Sequence, residues 1–158
     1  MATGSDAGLP TAADKAAVVE AMFDRIAPRY ERLNRILTFG LDERWRRRTV
    51  AALGLEPGAR VLDLACGTGD LCRHLGTAGM DVVGMDSSRG MLTHARTIAP
   101  LARADVLRLP VADGHVDGIT CGFALRNFTD LPAFLGECAR ALRPGGRLAL
   151  VDVAEPHN

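Results

Sequence analysis

Apolar positions over residues 15–37 recur every three to four residues: Val18, Val19, Met22, Phe23 and Ile26, then Tyr30, Leu33, Ile36 and Leu37. That spacing puts them on one helical face. Pro28 divides the run into two helices, because proline has no amide hydrogen and clashes with the preceding turn. Thr38-Phe39-Gly40-Leu41 reads as a turn. Asp42 is placed to cap a helix running to Leu53, and Gly54 and Pro57-Gly58 end it. From residue 60 short apolar runs alternate with helical patterns. The runs predict strands over 60–65, 81–86, 101–105, 116–122 and 147–153. Between them the spacing predicts helices ending near 78, over 88–97 and over 130–142.

Apolar strands joined by helices are the signature of a parallel sheet covered on both faces. Right-handed crossovers make it an α/β, Rossmann-like, doubly wound sheet of order 3-2-1-4-5. The organisation that follows is a flexible tail over 1–14, a helical lid over 15–56 and a core over 57–158.

Composition narrows the partners. Among 158 residues, 19 Lys and Arg balance 19 Asp and Glu, which gives no basic excess and argues against a nucleic-acid partner. No run approaches the ~18 apolar residues of a membrane span, and the N-terminus lacks the regions of a signal peptide. A cytoplasmic location is the expectation. Cys66, Cys72, Cys121 and Cys138 form no CxxC pair and read as buried, reduced thiols. The four histidines show no metal-ligand spacing, so no metal site is expected.

The chemistry concentrates where the first strand meets its helix. Asp63-Leu64-Ala65-Cys66-Gly67-Thr68-Gly69-Asp70 is a glycine loop at that junction. Gly67 and Gly69 let the backbone approach a ligand, and N–H groups at the helix start can hold a carboxylate. A dinucleotide would need a small residue where Cys72 stands, and its pyrophosphate would meet Asp70. S-adenosylmethionine (SAM) brings a carboxylate and a positive sulfur instead, so charge favours SAM. Asp86, at the end of the second strand, is placed to accept hydrogen bonds from both ribose hydroxyls, with Ser87 beside it; capping the next helix is its other reading. Met91 and Leu92 read as adenine lining or as core. Asp105 and Val106 follow the third strand, where they offer partners to the adenine edge, although Asp105 also reads as a solvated loop acid. Gly122 ends the fourth strand beside the first.

Several segments carry a resemblance to a known family. They are Phe23-Asp24-Arg25-Ile26-Ala27-Pro28-Arg29-Tyr30-Glu31-Arg32-Leu33-Asn34, Trp45-Arg46-Arg47-Arg48, the glycine loop, and Gly84-Met85-Asp86-Ser87-Ser88-Arg89-Gly90-Met91-Leu92. Gly122-Phe123-Ala124-Leu125-Arg126-Asn127-Phe128-Thr129-Asp130 and Leu142-Arg143-Pro144-Gly145-Gly146-Arg147-Leu148 complete the set. The chain resembles the ubiquinone/menaquinone biosynthesis C-methyltransferases, which methylate a ring carbon of a prenylated quinol with SAM. The resemblance implies that Thr68, Asp86, Asp105 with Val106, and Gly122 contact SAM. It places Arg126, Asn127 and Tyr30 at the quinol, with demethylmenaquinol the preferred acceptor. Arg126 would stabilise the developing phenolate, and Asn127 and Tyr30 would orient a water that takes its proton; the bare sequence equally allows a surface arginine. Cys66 stands where glycine is common, Gly122 where some members have serine, and Glu31 where aspartate is commoner.

The family continues beyond a point equivalent to Asn158. Strands six and seven are therefore expected to be absent, leaving strand five an open edge. A homodimer or another chain is one expected cover for it. Arg44, Trp45, Arg47 and Arg48 form a basic cluster with Arg46 that reads as a solvated helix face or as a peripheral contact with the inner face of a membrane. A methyltransferase of another small molecule and a non-catalytic SAM-binding fragment or subunit stay open as alternatives.

Overall fold

A computed structural model describes residues 11–30, 36, 38 and 40–153. Five parallel strands lie in the order β3-β2-β1-β4-β5. They are β1 (Arg60–Leu64), β2 (Asp81–Asp86), β3 (Leu101–Arg103), β4 (Val116–Gly122) and β5 (Leu142–Val151). The predicted order is the observed one. Side chains alternate across β1: Leu62 and Leu64 enter one core with Ile119, Cys121, Phe134 and Cys138, while Val61 enters the other with Val50, Leu53, Leu71 and Leu75. This period-two split is what a sheet covered on both faces requires. Helix α5 (Leu131–Ala141) covers the first face; α2 (Leu41–Leu53) and α3 (Asp70–Thr77) cover the second.

Helix α1 (Ala12–Ile26) starts three residues before the predicted helix. Thr11 and Asp14 form a reciprocal capping box that satisfies its first amides. Pro28 ends the α-helical run as predicted, and a 3-10 turn follows over Ala27–Arg29. The remainder of the predicted second helix lies mainly outside the described residues.

Four local readings change. Asp42 does not cap α2: the helix begins at Leu41 after Gly40, and the Asp42 side chain lies buried in its first turn. There it accepts hydrogen bonds from Thr38 Oγ1 (3.0 Å) and Arg46 Nη1 (2.5 Å). Helix α4 spans only Arg89–Thr93, capped by the Ser88 hydroxyl. Its predicted continuation leaves the helix because the Arg96 amide donates to the Thr68 carbonyl at 2.9 Å. β3 stops at Arg103 because the Asp105 carboxylate accepts from the Leu107 amide at 2.9 Å, turning the chain away. β5 takes in the Pro144-Gly145-Gly146 turn, with a register shift opposite Val116 and Gly118.

Phe134 is fully buried, and its ring meets Phe128 at 4.7 Å between centroids. It joins the core to the segment after β4. Phe134→Ala should lower unfolding free energy by about 3–5 kcal/mol, read from denaturant midpoints at constant m-value.

Candidate functional site

The strand order reverses between β1 and β4, and an open parallel sheet leaves a crevice there at its carboxyl edge. A cavity of about 590 Å³ opens at this edge, within the ~300–1,000 Å³ usual for small-molecule sites. Gly67 after β1, Asp86 and Ser87 after β2, Asp105 and Val106 after β3, and Gly122 at the end of β4 all line it. Met91 of α4 lines it too. Val19, Glu20 and Phe23 of α1, with Tyr30, form the opposing wall. Two non-glycine residues at the strand ends, Ala65 (φ 52°) and Phe123 (φ 59°), adopt left-handed backbone. Such strain persists where surrounding structure over-determines it, commonly at ligand sites.

Asp86 holds the loop together. Its Oδ2 accepts from the Gly67 amide and its Oδ1 from the Ser88 amide, each at 2.8 Å. Each oxygen keeps a lone pair for a further donor. Burial pushes the Asp86 carboxyl above its ordinary pKa, against the pull of the Ser88, Gly67 and Ser87 amides. Both sequence readings of Asp86 thus touch the observed geometry: it braces the following turn and it faces the cavity, while Ser88 supplies the helix cap.

Gly69 lines neither cavity. It has φ 88° and lies so close to Thr97 that a Cβ would sit 2.7 Å from Cγ2, and it turns the backbone into α3. Thr68 and Asp63 lie beside a smaller recess of about 30 Å³ that shares Tyr30, Gly67 and Gly122 with the main cavity. Asp63 is cross-strand to Thr120, whose hydroxyl donates to it at 2.8 Å, and the Cys72 thiol donates at 3.3 Å. Complete burial raises the Asp63 pKa to about 7.

Asp70 changes the charge argument made from sequence. Its carboxylate is ion-paired with Arg46 at 3.1 Å and with Arg73. Its charge is offset within the protein, so it repels phosphate less than the isolated sequence implies. Arg46 itself leaves the supposed surface cluster. It is 4% exposed, packs against the Phe123 ring at 5.5 Å, and lines the recess. Arg44, Arg47 and Arg48 are exposed, and Trp45 turns towards Phe123 with 6.1 Å between ring centroids.

The acceptor-side residues divide. Tyr30 and Asn127 line the main cavity. Arg126 does not: its Nη1 donates to Asp152 Oδ1 at 2.9 Å, and its side chain is 59% exposed. Asp152 also accepts the Leu125 amide through its other oxygen, at 2.9 Å, and so pins the 3-10 turn Leu125–Asn127. Asp152 was not legible as a site residue, because its partners are 26 and 27 positions away.

Helix α1 is tied to the start of α4 by a residue that composition conceals. Asp24 Oδ1 accepts from Ser88 Oγ at 2.5 Å and from the Gly90 amide at 2.8 Å. Only glycine fits at position 90, where a Cβ would lie 2.8 Å from the Asp24 Cα. Hydrogen bonds from Ser88 and Gly90 hold the Asp24 carboxyl below its ordinary pKa. Arg103 adds an ion pair to Glu20 at 2.5 Å.

These features define the class I SAM-dependent methyltransferase fold, and comparison with known proteins agrees. The SAM-dependent methyltransferase of Mesorhizobium loti superposes with a TM-score of 0.58 at 31% identity, covering 64% of this chain and 50% of that one. The chain belongs to the ubiE/COQ5 methyltransferase family, whose model matches residues 11–158. A demethylmenaquinone methyltransferase of Beutenbergia cavernae is 45% identical over 141 residues, covering 87% of this chain and 59% of the relative. A 2-phytyl-1,4-naphtoquinone methyltransferase of Synechococcus elongatus is 41% identical over 153 residues, covering 89% and 65%. The chain thus spans about three fifths of the length of the first of these relatives. Among the described residues no helix is long and apolar enough to cross a membrane.

Two outcomes follow from the site. A carboxyl whose folded pKa stands above its unfolded value favours folding only while protonated. Asp63 should therefore cost stability progressively as pH rises from near 3.8 to about 7. The stability of Asp63→Asn relative to the parent should grow across that window, by at most about 4 kcal/mol, measured by chemical denaturation at stepped pH. Asp24→Ala should speed amide exchange of α1 about tenfold or more while the sheet stays protected, measured by hydrogen exchange.

Proposed function

We propose that this chain binds SAM in the larger cavity and transfers its methyl group to a ring carbon of a prenylated quinol, with demethylmenaquinol preferred. The observation that carries the reading is Asp86. Its buried carboxylate braces the glycine loop and lines the cavity at the end of β2, which suits a ribose diol. The donor set agrees with the rest of that molecule: Met91 and Val106 offer apolar walls, and Asp105 an acceptor, for an adenine. The printed activities of the relatives, on demethylmenaquinone and on 2-phytyl-1,4-naphtoquinone, support a quinone-derived acceptor.

Bound SAM supplies an electrophilic methyl carbon on a positively charged sulfur. The protein's task is then alignment, since methyl transfer is an in-line displacement and orientation is worth several kcal/mol. Asp86 and the glycine loop fix the donor end. Phe23, Tyr30 and Phe128 face the cavity and exclude water there. Asn127 and Tyr30 would hold the acceptor's hydroxyl and a water that accepts its proton; the proton displaced from the methylated ring carbon would then leave to solvent, which restores the aromatic quinol. Arg126 would stabilise the phenolate by exchanging Asp152 for the substrate oxygen, which its exposed side chain is free to do. It cannot act as the base, because a guanidinium stays protonated.

Incubation with methyl-labelled SAM and reduced demethylmenaquinone, followed by lipid extraction, should place label in the quinol. Asp86→Asn replaces one acceptor oxygen with a donor and should weaken SAM binding about 10- to 100-fold by calorimetry. Tight SAM binding with no label in any quinol would overturn the acceptor and leave the donor standing.

A further inference from the structure

Two thiols meet beneath the glycine loop and take no part in methyl transfer. Cys66 lies in that loop and Cys72 in the first turn of α3; both are free and buried. They converge over Gly84 of β2, where a Cβ would sit 2.8 Å from the Cys72 sulfur and 3.0 Å from that of Cys66. Glycine at position 84 therefore leaves the room that the sulfur pair fills. The surroundings of the two thiols differ. Cys66 lines the small recess beside Gly67 and Thr68, whose 30 Å³ admits a molecule the size of water or hydrogen peroxide and no bulky disulfide. Cys72 is 1% exposed and lines neither cavity, and its thiol donates to Asp63 Oδ2 at 3.3 Å. Its contact with Cys66, its burial and the nearby Asp63 push the Cys72 thiol well above its ordinary pKa. One sulfur is thus open to a small oxidant, and its neighbour is a protonated thiol beside a proton acceptor.

We propose that Cys66 and Cys72 form an oxidation site for hydrogen peroxide that closes to a disulfide and thereby weakens cofactor binding. The effect on binding rests on the reading that the larger cavity takes SAM; the bridge itself does not. The Cys66 sulfur attacks one peroxide oxygen and the O–O bond breaks. Cys66 becomes a sulfenic acid, and its thiol proton leaves with the other oxygen as water. The Cys72 sulfur then attacks the Cys66 sulfur. Its proton passes by way of Asp63 to the departing hydroxyl, which leaves as a second water. Two thiols are oxidised and one peroxide is reduced to two waters. Covalent bonding draws the sulfurs closer than the contact they now make, and so pulls Cys66 towards α3. The adjacent Gly67 amide donates to Asp86 at 2.8 Å, which carries that movement to the cavity. The recess shares Tyr30, Gly67 and Gly122 with the main cavity, so a ligand seated there closes the oxidant's way in. Cys121 and Cys138 are fully buried and line neither cavity, which makes them the internal comparison.

Trypsin releases both thiols in one peptide free of methionine, Val61–Arg73, so its mass reports the pair directly. Peroxide given to the whole reduced chain should lower the mass of that peptide by about 2 Da, the two hydrogens lost, and leave the Cys121 and Cys138 peptides unchanged. Affinity for S-adenosylhomocysteine, read by calorimetry, should then fall about fivefold or more, and dithiothreitol should restore it. Saturating S-adenosylhomocysteine during the exposure should slow the mass loss. Cys72→Ala removes the resolving thiol, so Cys66 should instead gain about 32 Da as a sulfinic acid that dithiothreitol does not reverse. A parent peptide that gains oxygen or stays unchanged, while the reduced chain binds S-adenosylhomocysteine, would overturn the bridge and leave the cofactor reading standing. A bridge that leaves affinity unchanged would remove the effect on binding. A bridge in a chain whose reduced form binds no S-adenosylhomocysteine would overturn the cofactor reading instead.

Discussion

One buried carboxylate organises the carboxyl edge of the sheet. Asp86 takes the amide of Gly67 from the loop after β1 and the amide of Ser88 from the turn after β2. Two adjacent strands thereby present their following loops in fixed relation. The geometry has a cost, since burial disfavours the charged form and the backbone amides around it only partly offset that. A carboxylate suits the position because each of its two oxygens accepts from one of the two loop amides; an asparagine would turn a donor towards one of them. The carboxylate also lines the cavity, so what braces the two loops faces the space they enclose.

The same logic runs through the cleft. Asp63, Asp42 and Arg46 are all buried, and the three lie on the face where α2 and α3 meet the sheet. Breaking one member of such a set strands the others, so the set is weak evidence for stability and better evidence for a site. Ordinary packing stabilises the rest: Phe134, Leu64, Leu75 and Ile119 are fully buried away from any charge. The protein thus separates a dry apolar interior from a charged seam that opens on the cavity.

Much of this was legible in the sequence, and for physical reasons. Strand order follows from alternation and crossover handedness, which are local and chiral rules. The loop from Asp63 to Asp70 is contiguous, so its glycines announce themselves. What failed to show was long-range partnership. Asp24 meets Ser88 and Gly90 across 64 and 66 positions, and Arg126 meets Asp152 across 26. The shortened α4 and β3 reflect tertiary hydrogen bonds overriding a helical or extended pattern. Arg46 had one overlooked signal. Asp42, Arg46, Thr49, Val50 and Leu53 repeat at helical spacing and all are buried. Read as a stripe rather than as part of an Arg44–Arg48 charge run, they place the cation inside.

That stripe bears on how lid and core communicate. Arg46 belongs to α2, Asp70 to α3, and Phe123 to the turn after β4; the guanidinium touches all three. Asp24 ties α1 to the cap of α4 in the same way. Helices α1 and α2 therefore each grip an element that borders the cavity, so the packing of the N-terminal helices and the shape of the cavity's edge are set by the same few polar contacts.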